Sequence, residues 1–213
     1  MVAPELHGDL SGSAASSGDA RPVLGHVNLM VDTFIANANL EDLRAIVRGM
    51  LATSPPSVAA AFTAAARQRL VRVKATDVPD TTDFFAAGPD GSSAEPTEKL
   101  NSALLRIRTL YGSGLGFASL KILARVVGAT VGLRWDEDGA MEDTLAIIDA
   151  DISQAIQSAK EELDGNRVMD MQEAREVVEE LRSAVHESQK DVKKWDGAFP
   201  FERAASSLEF WRV

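Results

Sequence analysis

The sequence predicts an all-α protein, a bundle of about seven helices ending in a long antiparallel helical hairpin. Three observations carry this. Apolar residues recur at steps of three and four through most of the chain after residue 26. Strict alternation, the mark of a half-buried strand, is confined to two short candidates at 71–73 and 130–135. A chain of 213 residues, 45% hydrophobic and 25% charged, has the apolar content to close a sizeable core.

Residues 1–25 are rich in Gly, Ser and Ala, and such a stretch buries too little apolar surface to offset its chain entropy. The reading is a disordered tail followed by a single helical domain over 26–213. Val27, Met30, Val31, Phe34 and Ile35 form the stripe of a first helix. Asn39 is placed to cap a second, with Leu40, Leu43, Ile46, Val47 and Met50 as its expected buried face. Ser54-Pro55-Pro56 opens a third, because proline is tolerated in a first helical turn. From about 76 to 95 the chain collects Pro, Gly and Asp around Phe84-Phe85, which predicts a long mobile loop with one anchor.

Pro96 is expected to open a fourth helix, with Leu100, Leu104, Ile107 and Tyr111 on one face. Gly112-Ser113-Gly114-Leu115-Gly116 breaks it. Phe117 to Val127 is apolar almost all round, as a central buried helix would be. Leu145, Ile148, Ile152, Ala155, Ala159 and Leu163 follow an approximate heptad, and Gly165 is the expected left-handed stop. Met171, Ala174, Val178, Leu181, Val185, Ser188, Val192 and Trp195 continue a 3.5-residue repeat, so two long helices with a short connection should pair as a hairpin. Pro200 introduces a last short helix in an aromatic C-terminal segment holding Phe199, Phe201, Phe210 and Trp211.

Charge is divided unevenly. Residues 1–134 sum to +1 and residues 135–213 to −11, for a total of −10. Between Lys99 and Arg134 no acidic residue occurs. The default expectation is that this basic stretch pairs with the acidic C-terminal hairpin inside the fold. The acidic total argues against general nucleic-acid binding. No apolar run reaches the roughly 18 residues of a membrane span.

Few chemistries fit. The absence of cysteine removes disulfides, thiolate nucleophiles and sulfur-ligated metals. Three histidines, His7, His26 and His186, form no metal-binding pair and accompany no nucleophile elbow. Asp136, Glu137, Asp138, Glu142 and Asp143 lie where a helix begins, and carboxylates there favour the positive end of the helix dipole rather than a metal. The glycine run at 112–116 lacks the preceding strand and following lysine of a phosphate loop, and reads as a tight inter-helix turn. No catalytic residue, metal or cofactor is assigned.

The expected function is a non-catalytic protein-interaction module, an adaptor or regulatory subunit of an intracellular complex in cytoplasm or nucleus. Its partner would be another protein, a second copy of itself included, and not a membrane. Candidate interaction residues are Glu176, Glu179 and Glu180 on the acidic helix and Phe201, Phe210 and Trp211 at the end. The alternatives are a helical small-molecule binder or enzyme with anion contacts from Arg106, Arg108, Lys121 and Arg125, and an acidic binder of basic proteins.

Overall fold

In the computed structural model, which describes residues 29–88, 91 and 93–213, the all-α class holds. Eight helices and one two-stranded ladder make up the described residues. The tail expected over 1–25 lies outside them. Two compact units divide the chain, the second beginning at Ser54.

The first unit contains α1 (Leu29–Asn37) and α2 (Leu40–Thr53). Asn39 caps α2 as expected: its Oδ1 accepts from Asp42 N at 2.8 Å, and its amide donates back to the Asp42 carboxylate at 2.6 Å. The predicted buried face is corrected. No residue of α2 is buried, and Leu40, Ile46 and Met50 are each about half exposed. Periodicity makes a helix amphipathic but does not say what covers the apolar side.

The second unit opens with α3 (Pro56–Arg72), where Pro56 takes the first helical position. The stretch read as a loop contains a ladder of β1 (Phe85–Ala87) and β2 (Ala94–Pro96), paired antiparallel with Ala86 opposite Glu95. Both strand candidates from the sequence are helix end or turn instead. Alanines and glycines dominate the true strands' surroundings, so propensity gave no signal. The ladder is fixed from outside, by buried Phe84 and by Ala94 N–H donating to Arg134 O at 2.7 Å. Pro96 therefore ends a strand, and Thr97 starts α4 (Glu98–Gly112), its hydroxyl accepting from Leu100 N.

The core is built around α5 (Gly116–Gly128), on which Leu120, Ile122, Leu123, Val126 and Val127 are fully buried. The long helices α6 (Ala140–Asp164) and α7 (Met171–Val192) follow, joined by six residues, and α8 (Glu202–Phe210) closes the chain. The heptad stripes do not meet each other as a hairpin seam. Both pack on α5, which lies between them, and α6 and α7 scarcely touch. The seam residues Leu145, Ile152, Val178, Leu181 and Val185 are buried as expected, against a different neighbour. The left-handed residue at the end of α6 is Asn166, with φ 52°, one position beyond Gly165.

Gly116 makes the α5–α6 contact possible. A Cβ built on it would lie 2.5 Å from Ala159 Cα and 2.6 Å from Ser158 C, and closer still to Ala159 N. The tight-turn reading of the glycine run is therefore the structural one: α5 begins with its backbone directly against the backbone of α6.

Candidate functional site

The basic stretch spends its charge within the fold. Arg108 on α4 makes a bidentate pair with the buried Asp151 of α6, whose Oδ2 lies 2.8 Å from Arg108 Nη2. Tyr111 donates its hydroxyl to the same carboxylate at 3.0 Å. Lys121 on α5 pairs with Glu173 on α7 at 2.9 Å, and Arg125 with Glu180 at 3.7 Å. Arg106 donates to the backbone oxygens of Ala75, Lys74 and Asp77, pinning the segment after α3. As anion contacts for a pocket, Arg106, Arg108, Lys121 and Arg125 are thus already engaged by carboxylates or carbonyls of their own chain. The default expectation of internal pairing describes them better.

The acidic residues of α7 divide similarly. Glu176 accepts from Gln172, Glu179 pairs with Arg182, and Glu180 pairs with Arg125; all three stay exposed. At the lower end of α7, Asp191 accepts from Gly132 N–H at 2.8 Å, Arg134 at 2.9 Å and Lys194 at 3.2 Å, with its side chain only 8% exposed. The Gly132 N–H, and after it Arg134, hold its carboxyl at about pKa 2. A depressed native pKa adds stability that is present above the unfolded value near 3.8 and lost as pH falls toward 2. Asp191→Asn should therefore flatten the decline of melting temperature between about pH 4 and pH 2. Equal slopes for the two proteins in that window would contradict the assignment.

The aromatic terminus is mostly interior. Phe201 is fully buried and Trp211 is 6% exposed, stacked on Phe117 with ring centroids 6.1 Å apart. Arg182 donates to the carbonyls of Leu208 and Trp211, and Arg175 to that of Val213, so two cations of α7 close the end of α8. Buried Asp149 of α6 serves the opposite end, accepting from Ala204 N at 2.9 Å and Arg203 N at 3.4 Å. Phe201 and Trp211 are therefore corrected from interaction residues to core residues, because their surface is consumed in docking the chain's own end. Phe210, 81% exposed, is the aromatic still presented to solvent.

Two surfaces among the described residues bear on function. One is a cleft of about 530 Å³ beside the start of α5. There Glu162 of α6 accepts from Phe117 N at 3.2 Å, so a carboxylate of the chain already occupies the α5 N-terminus. Burial raises the Glu162 pKa, against the opposing pull of the backbone N–H groups and Arg167 and Arg67. The other is the apolar side of α1 and α2, where Val31, Phe34, Ile35, Leu40, Ile46 and Met50 are 47–59% exposed. The sequence stripes located these six residues, and those of α2 were expected as a buried face. Among the described residues, no group of three His, Asp or Glu side chains is placed to hold a metal ion. Comparison with protein-family models, with curated proteins and with solved structures finds no match to the chain.

Proposed function

We propose that the chain is a non-catalytic helical interaction module, an adaptor or regulatory subunit that engages a protein partner through the apolar side of α1 and α2. The observation that supports this reading most is the exposure of Val31, Phe34, Ile35, Leu40, Ile46 and Met50 on two helices, the second without a single buried residue. Six large apolar side chains about half exposed within one short segment are more than the scattered single apolar residues of an ordinary surface. An amphipathic helix pair offers anchors at i, i+3, i+4 and i+7, the spacing with which helices enter apolar grooves. Helices α4 to α8 form the scaffold, with a core closed by Phe201 and Trp211 and with ion pairs linking its helices. The compartment we assign is intracellular, cytoplasm or nucleus.

The test compares the native chain with the double variant Phe34→Glu, Ile46→Glu in a pull-down from the native source. The variant should lose the specific partner while its unfolding free energy stays within about 0.5 kcal/mol of the native value, as for surface substitutions. A loss of several kcal/mol would place these side chains in a folded core and overturn the reading. Retention of the partner by the folded variant would do so as well.

A further inference from the structure

Arg167, in the turn between α6 and α7, carries five donors and makes no side-chain hydrogen bond or ion pair among the described residues. Its Nε is buried and has no partner in the protein. Buried guanidinium donors are ordinarily satisfied, and a planar carboxylate is the acceptor that fits their fork. The group is also held in place. Its Cζ lies 3.0 Å from where a side chain at Gly165 would begin, so the guanidinium lies against that turn, and at Gly114 its Nη2 would meet a side chain only in ordinary contact.

Arg167 lines the cleft beside α5, and so does Asp77, whose carboxylate is likewise unpaired among the described residues. The remaining charges of the cleft are accounted for. Glu173 is paired with Lys121, Asp170 accepts from Gln172 N and Glu173 N as the α7 cap, and Glu162 accepts from Phe117 N. Four carboxylates and two cations on the walls disfavour a simple anion. A ligand bearing both charges meets no such penalty. Arg167 also faces the charge of Glu162, but neither Arg167 nor the exposed Asp77 makes a side-chain hydrogen bond among the described residues, and the same cleft is lined by the apolar Leu115, Phe117, Val168 and Val177. A volume of about 530 Å³ lies within the range of small-molecule sites and exceeds what a single amino acid fills.

We infer that this cleft binds a short apolar peptide with free ends, its terminal carboxylate on Arg167 and its terminal ammonium at Asp77. The inference does not rest on the reading of α1 and α2 as a binding surface.

The probe is the dipeptide leucyl-leucine, titrated calorimetrically into the full chain beside its N-acetyl and C-amide derivatives. The expected Kd lies between about 10 µM and 1 mM, with each cap weakening binding at least about tenfold. Arg167→Gln should erase the difference between dipeptide and amide. Asp77→Asn should erase the difference between dipeptide and N-acetyl form. Both variants should melt with the native chain, and a melting curve on each sample separates lost binding from lost folding. No heat from the dipeptide up to about 10 mM, beyond the weakest affinity expected, would overturn the inference. So would binding indifferent to both caps. If Arg167→Gln proves unfolded, the caps on the native chain still decide the matter.

Discussion

Gly116→Ala should lower the stability of the α4–α8 bundle by about 3 kcal/mol or more, the upper range for overpacking a close-fitted interior. The new methyl has nowhere to go. Its neighbours are the backbone atoms of Ser158 and Ala159 rather than the end of a flexible side chain. Relief requires α5 to back away from α6, and α5 is also the helix on which α7 packs. The damage should therefore spread to both long helices. Gly49→Ala is the matched control, since a Cβ there meets nothing within 4 Å. In mid-helix it should favour α2 locally by about 0.5–1 kcal/mol and leave the transition of the α4–α8 bundle unmoved. Chemical denaturation of the two variants beside the native chain measures both. A Gly116→Ala protein as stable as the native one would mean that the two helices are farther apart than described.

Phe201→Ala should cost about 3–5 kcal/mol, the usual range for deleting a fully buried aromatic ring. Phe201 lies at the entry to α8, within the same core as Ile148, Leu208 and Trp211. Removing the ring opens a cavity and loosens the helix whose end α7 clamps through Arg175 and Arg182. Phe210→Ala, nine residues on, should stay within about 0.5 kcal/mol, as expected for a side chain 81% exposed. The same pair of chemical denaturation curves reads both. A comparable loss at both positions would show that the terminus docks through its outer face.

Much of the second unit is legible in the sequence because its signals are local. The stripes of α4, α6 and α7, the proline start of α3 and the all-round apolarity of α5 each reflect a helix and the side it buries. The charge division is legible too: Arg108, Lys121, Arg125 and Arg134 find Asp151, Glu173, Glu180 and Asp191. What sequence cannot supply is the identity of the neighbour. The heptads of α6 and α7 imply partner helices, and adjacency in the chain suggested each other, whereas α5 offers two apolar sides and takes both. The ladder at β1 and β2 escaped because its support, Phe84 and the Arg134 carbonyl, is tertiary. The stripe of α2 was assigned to a core on amphipathicity alone, which is the same for a buried face and a binding face. Arg167 gave no signal at all, since a single arginine in a turn acquires meaning only from the cleft around it.

If α1 and α2 form the proposed binding surface, they are not held in a folded core as α5 and α7 are. Amide hydrogen exchange of the intact chain tests it most directly. The amides at the centre of α5 and α7 should exchange only through global unfolding, while those of α1 and α2 should exchange through local opening, faster by about a thousandfold or more, since local openings cost far less than the global transition. Exchange in α1 and α2 as slow as in α5, in the isolated chain, would contradict the account, because it would make these two helices part of the folded core.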